Sequence, residues 1–122
     1  MKAEMFNRAW WICFSSTNPL KEMLLELAKA SGFGVLSYCE NYFKPQGYSL
    51  CILLEESHLA LHTFPEHGVS YLELSSCVEK PFLKFCKLTR IAATKYGKKI
   101  EIHAPSKGGP GEKTRAAIRG QR

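Results

Sequence analysis

Three alternating runs, separated by breaks too short to hold a helix, constrain this chain more than anything else in it. From Tyr48 to Glu56, Leu50, Ile52 and Leu54 share one face, and Ser49, Cys51 and Leu53 share the other. From His58 to Phe64, His58, Ala60, His62 and Phe64 fall on a common face. From Val69 to Cys77, Leu72 and Leu74 point one way, and Tyr71, Glu73, Ser75 and Cys77 the other. Strands joined by so few residues must be antiparallel.

The flanks supply the second layer. Ala9-Trp10-Trp11-Ile12-Cys13-Phe14 reads as a first strand of aromatic and branched residues. Asn18 suits a helix N-cap and Pro19 the first helical position. Leu20, Met23, Leu24, Leu27 and Ala28 then form the stripe of a helix with one buried side, which Gly32 is placed to stop. Gly34 to Phe43 reads as a second strand, closed by the turn Lys44-Pro45-Gln46-Gly47. Pro81 to Tyr96 reads as a second helix ended by Gly97, with Phe82, Phe85, Cys86, Leu88, Ala92 and Tyr96 as its apolar face. Lys99 to His103 reads as a short last strand. The expected fold is α+β, a two-layer sandwich. Two helices cover one face of a mainly antiparallel sheet, and the polar residues of the alternating runs occupy the other.

One domain of residues 1–103 accounts for this pattern. Residues 104–122 contain Gly108-Gly109-Pro110-Gly111 and five Lys/Arg against one Glu, and read as a flexible basic tail. The tail has no interleaved aromatics, so no nucleic-acid partner is expected of it. The start lacks an apolar h-region and no run approaches a membrane span, so a cytoplasmic protein is expected. Cys13, Cys39, Cys51, Cys77 and Cys86 show no Cys-x-x-Cys spacing. Cys13, Cys39, Cys51 and Cys86 read as small core residues, and no disulfide is expected in a reducing compartment. The chain has no aspartate, and His58-x-x-x-His62 is helix spacing placed in a strand, so no metal is expected.

The junction of the first two alternating runs is chemically dense. Three histidines, three glutamates and a serine fall between Glu55 and Gly68. The pattern Phe43-Lys44-Pro45-Gln46-Gly47-x-Ser49, followed by Glu56-Ser57-His58-x-x-x-His62-Thr63-Phe64-Pro65-Glu66, resembles the prokaryotic-type, pyruvoyl-dependent S-adenosylmethionine decarboxylase proenzymes. The resemblance runs from Gly34 to Cys77 and extends loosely into the flanking helices.

That resemblance implies self-cleavage between Glu56 and Ser57, giving fragments 1–56 and 57–122. Ser57 Oγ would attack the Glu56 carbonyl and exchange the amide for an ester. Removal of the Ser57 Cα proton would expel the ester as a carboxylate by β-elimination, and tautomerisation and hydrolysis of the dehydroalanine, with loss of ammonia, would leave a pyruvoyl cofactor at the new N-terminus. Its ketone would form a Schiff base with the substrate amine and take up the electrons of the departing carboxylate. His62 matches the elimination base. Ser49 matches a serine that assists processing, expected to hydrogen-bond the reacting carbonyl. Cys77 matches the proton donor, Phe43 and Phe64 the aromatics that hold adenine and sulfonium, and Glu66 the carboxylate on the ribose hydroxyls. The substrate would be S-adenosylmethionine, the product an aminopropyl donor for spermidine, and the assembly a homodimer with its sites at the two-fold interface.

Three positions depart from the family pattern. Asn7-Arg8-Ala9 stands at a Gly-basic-His position, Asn41-Tyr42 lacks the usual histidine before the phenylalanine, and Val78 replaces the glycine after the cysteine. They bear on substrate identity and dimer geometry. The alternatives are a pyruvoyl decarboxylase of ornithine or arginine, and a non-catalytic regulatory paralogue.

Overall fold

The alternating runs pair as an antiparallel meander: β3 (Tyr48–Leu54), β4 (Ser57–Phe64) and β5 (Val69–Ser76). The structure is a computed structural model that describes residues 3–95 and 100–103. β2 (Val35–Tyr42) adds at one edge. β1 (Phe6–Ile12) lies between β5 and β6 (Ile100–His103). The order is β2-β3-β4-β5-β1-β6, with every neighbouring pair antiparallel.

The helices α1 (Thr17–Ser31) and α2 (Glu79–Lys95) cover one face. Leu20, Met23, Leu24, Leu27 and Ala28 of α1 are buried, as their spacing requires. Gly32 closes α1 at φ 101°, a left-handed conformation that costs a residue without Cβ little. Trp10 of β1, Leu50, Ile52 and Leu54 of β3, Leu59 and Leu61 of β4, and Leu72 and Leu74 of β5 meet Phe82 and Phe85 of α2 in one core. Burying each such leucine completely contributes about 1.5–3 kcal/mol. At the β2 edge, Lys21 of α1 pairs with Glu40 at 3.1 Å, and the hydroxyl of buried Tyr48 donates to Glu40 at 2.5 Å.

The boundaries differ from expectation where side-chain character misleads. β1 begins at Phe6 rather than Ala9, because Asn7 and Arg8 are held in the ladder opposite Ser75 and Leu74. β3 stops at Leu54; Glu55 and Glu56 form the turn, and Ser57 is the first residue of β4. Cys39 and Cys51 are exposed, not core, since they occupy the strand positions that point away from the helices. Cys13 is half-buried, and only Cys86 is fully in the core. Tyr96, Gly97, Lys99 and the basic tail lie outside the described residues.

Candidate active site

The two-residue turn between β3 and β4 carries the first part of the site. Glu55 N–H donates to Gly34 O at 2.8 Å, and a Cβ at position 34 would overlap the Glu55 carboxylate. Glu56 adopts φ 57°. For a residue with a side chain that left-handed conformation costs about 1–2 kcal/mol. Glu56 O accepts two hydrogen bonds, from Cys77 N–H at 3.1 Å and from Cys77 Sγ at 3.0 Å. Two donors on one carbonyl oxygen favour negative charge there, as in an oxyanion hole.

Ser57 follows immediately, with its side chain on the helix side of the sheet and only 6% of the residue exposed. It stands opposite Ser76 in the ladder, and its hydroxyl donates to Ser76 Oγ at 2.6 Å. Ser76 in turn donates to Val78 O at 2.9 Å and accepts from Val78 N–H at 3.0 Å. The Ser76 proton is thereby committed to the backbone, and Ser76 offers Ser57 a lone pair. The Ser57 hydroxyl is thus held on Ser76, in the residue that follows the carbonyl held by Cys77.

The second part lies at the other end of β4, on the open face. One row across the sheet reads Asn41, Ser49, His62, Tyr71, Trp11. Ser49 Oγ lies 2.7 Å from His62 Nδ1. The Tyr71 hydroxyl donates to Glu73 at 3.2 Å; burial first, and then the Glu73 charge, push its pKa up to about 12. Trp11 packs on Tyr71 with ring centres 5.0 Å apart and on Phe64 at 6.0 Å. Phe43 is exposed at the β2–β3 turn, its N–H bonded to Gly47 O, and Glu66 is exposed in the 3-10 turn Pro65–His67.

The expected residues thus form two groups, not one. Glu56, Ser57 and Cys77 are together, and Ser49 and His62 are together. His62 lies five positions past Ser57 along β4, about 16 Å at 3.3 Å per residue, and the two point to opposite faces. The expected bond from Ser49 to the reacting carbonyl is not formed: Ser49 is opposite His62, and Cys77 occupies the carbonyl oxygen. Ser76, Tyr71 and Trp11 were not singled out by sequence. Ser76 had a signal: its parity with Leu72 and Leu74 places a hydroxyl in the core, where it needs a partner.

The family model described as S-adenosylmethionine decarboxylase matches residues 12–97. Two relatives, each named S-adenosylmethionine decarboxylase proenzyme, come from Brevibacillus brevis and Geobacillus kaustophilus. The first is 41% identical over 73 residues, covering 57% of this chain and 55% of the relative. The second is 30% identical over 80 residues, covering 63% and 64%. The chain therefore spans little more than half the length of the curated relatives it matches. The crystal structure of the adenosylmethionine decarboxylase from Aquifex aeolicus VF5 covers 93% of this chain and 100% of its own, with a TM-score of 0.63 and 17% identity, a likeness of fold.

Proposed function

The chain belongs to the S-adenosylmethionine decarboxylase family, and from that premise we propose that it is a proenzyme that cuts itself between Glu56 and Ser57 and then decarboxylates S-adenosylmethionine. One observation carries the reading: the carbonyl preceding Ser57 leaves a left-handed residue and accepts both donors of Cys77. A carbonyl in an ordinary hairpin turn has no need of a thiol and an amide aimed at one oxygen.

The chemistry follows from these positions. Ser57 Oγ attacks the Glu56 carbonyl carbon, and the negative charge that develops on the oxygen falls on Cys77 N–H and Sγ–H. Ser76 holds the Ser57 hydroxyl in place before attack. Breaking the amide relieves the left-handed constraint at Glu56, which favours the ester. His62 takes the Ser57 Cα proton; in the tautomer whose Nδ1–H donates to Ser49 Oγ, 2.7 Å away, Nε2 is free to act as base. His62 of the same chain is out of reach, so the acting base is the partner subunit's His62 in a homodimer. The pyruvoyl group formed from Ser57 supplies an electron sink for the electrons left by a departing carboxylate. Cys77, released from the Glu56 carbonyl, is the thiol beside residue 57 and serves as proton donor.

For the substrate, Phe43, Phe64 and the neighbouring Trp11 offer ring faces to a sulfonium and an adenine. Glu66 is an exposed carboxylate at the same end, suited to ribose hydroxyls. Among the described residues, no helix is long and apolar enough to cross a membrane. The exposed thiols of Cys39, Cys51 and Cys77 suit a reducing cytoplasm, where we place the protein.

Intact-mass analysis tests the reading. Purified protein is expected to resolve into fragments 1–56 and 57–122, the second lacking a free amino terminus and adding the mass of a reduced amine adduct when borohydride and S-adenosylmethionine are supplied. A chain that stays whole after prolonged incubation overturns it.

A further inference from the structure

β2 ends the sheet, and among the described residues no strand lies beyond it. Phe43 N–H donates to Gly47 O at 2.9 Å, which sets the phase of the β2–β3 ladder. Phe43, Asn41 and Cys39 turn their backbone groups toward β3, so Tyr38, Glu40 and Tyr42 turn theirs away from the sheet. Such an edge is a template for another strand unless lysine, proline or a bulge blunts it. β2 holds neither lysine nor proline, and its bulge falls at the Val35 end. Leu36, Tyr38 and Tyr42 are 59%, 46% and 60% exposed. Tyr38 and Tyr42 stand opposite the buried Ile52 and Tyr48, on the helix side of the sheet. The homodimer proposed above covers the other side and leaves this edge free.

β2 is complementary to a second copy of itself. Two copies turned antiparallel about Cys39 set Tyr38 opposite Glu40 of the second copy, and Leu36 opposite its Tyr42. Tyr38 and Glu40 carry outward backbone groups, so each such pair exchanges both of its hydrogen bonds. Lys21 of α1 lies over the Tyr38 ring at 4.5 Å and pairs with Glu40 at 3.1 Å. This register therefore brings a second carboxylate to a lysine that already holds one. Pairing centred on Glu40 would instead set two carboxylates directly opposite each other, which is destabilising.

We propose that the β2 edge is a second self-association surface, joining two face-to-face dimers into a tetramer by antiparallel β2–β2 pairing centred on Cys39. The tetramer rests on the homodimer of the proposed function, and the symmetry of that dimer supports it. The midpoint between Ser57 and His62 falls between Leu59 and Ala60 of β4. In the ladders Leu59 is level with Ile52 and Tyr38, and Ala60 with Cys51 and Cys39. The two-fold axis that exchanges the ends of β4 runs across the strands, and so leaves the sheet between Tyr38 and Cys39. The two-fold axis of the edge pair stands normal to the sheet at Cys39, within about half a residue step of that level. Perpendicular two-fold axes that meet generate a closed D2 tetramer, whereas axes that miss each other generate an open filament. The same symmetry stacks the β2 edges of both subunits of a dimer on one side. Two strand pairs then form together, doubling a contact that is small alone.

Light scattering of the wild-type protein should give four chains of 13.8 kDa, about 55 kDa in all. Tyr38→Pro removes an outward N–H, which an edge strand tolerates, and should give dimers of half that mass. Glu40→Lys gathers the lysines of both copies at the junction and should do the same. Residue-resolved hydrogen exchange on the wild type needs no variant. The Glu40 and Tyr42 amides should be protected in the tetramer and exchange about tenfold faster or more once dilution dissociates it. Intact-mass analysis of the same samples separates this surface from the proposed function. Wild-type protein that cleaves itself yet stays dimeric overturns the tetramer and leaves the function standing. An uncleaved wild-type tetramer that both variants reduce to dimers supports the edge and counts against the function. A tetramer that both variants leave intact, or one in which the Glu40 amide exchanges as fast as in the dimer, overturns the proposal.

Discussion

The separation of Ser57 from His62 makes a sharp prediction about which chain does what. The gap is about 16 Å along β4, against a reach of about 3 Å for proton abstraction. β4 is bonded on both sides, to β3 and β5, so the strand cannot fold back to close it without breaking two ladders. Neither Ser57→Ala nor His62→Ala should therefore give a normally processed chain alone, but together they should. Co-expressed in equal amounts with different tags, about half of the dimers are mixed if pairing is random. Each mixed dimer holds one complete site, with Ser57 from the His62→Ala chain and the base from the Ser57→Ala chain. About half of the His62→Ala chains should then be cleaved to the blocked fragment, and no Ser57→Ala chain should be. Intact-mass analysis of the separately tagged chains reads this directly. Cleavage and blocking of His62→Ala alone at the wild-type rate, or a mixture that stays whole while the wild type is processed, refutes the reasoning.

Ser76→Ala removes the acceptor that positions the Ser57 hydroxyl, and cleavage should slow by about tenfold or more, the equivalent of the ~1.4 kcal/mol of one ordinary hydrogen bond; Ser76→Thr keeps the oxygen and should restore the rate, and equal rates for both variants count against the role. Glu56→Gly in a Ser57→Ala background should raise stability to urea by about 1 kcal/mol by relieving the left-handed residue, and no change would show that the turn carries no strain. The Tyr48 hydroxyl, and after it Lys21, hold the Glu40 carboxyl below its usual 4.5. A lowered carboxylate contributes stability that is fully present above the unfolded pKa and is lost as pH falls through the folded one. The stability advantage of the wild type over Glu40→Gln should therefore shrink as pH drops below about 4.5, and an advantage constant with pH in urea titrations contradicts it.

Much of this was legible in the chain because each buried strand announces its own face. Leu50, Ile52 and Leu54 alternate with Ser49, Cys51 and Leu53, and the core took the first set while solvent took the second. The α1 stripe was equally plain, since all five of its expected residues are buried. What alternation cannot give is which strands become neighbours. It does not place β1 between β5 and β6, nor set Ser57 opposite Ser76. Cys39 and Cys51 were misread for a related reason: their hydrophobic neighbours suggested burial, but parity governs exposure in a sheet with one covered face. Ser49 pairs with His62, and nothing local in the sequence says that the thiol of Cys77, arriving from another strand, holds the Glu56 carbonyl of its own chain.

In the homodimer proposed above, the two half-sites also say how its copies would meet. Along β4 the point midway between Ser57 and His62 falls at Leu59 and Ala60, and a two-fold axis passing there exchanges the two ends of the strand. Such an axis lays the Ser49–His62 pair of each chain over the Cys77–Glu56 corner of the other, which is what the chemistry needs. The open face near that midpoint is built from small side chains, Cys51 of β3, Ala60 of β4 and Ala9 of β1, in one row across the sheet. Small residues let a facing sheet approach closely, whereas the larger aromatics Phe64, Tyr71 and Trp11 stand at one end, where the substrate rings need surfaces to stack on. Glu73 interrupts that row between Ala60 and Ala9. Its carboxylate is tied to the Tyr71 hydroxyl, so it leans toward the aromatic end and leaves the centre of the face clear for the partner.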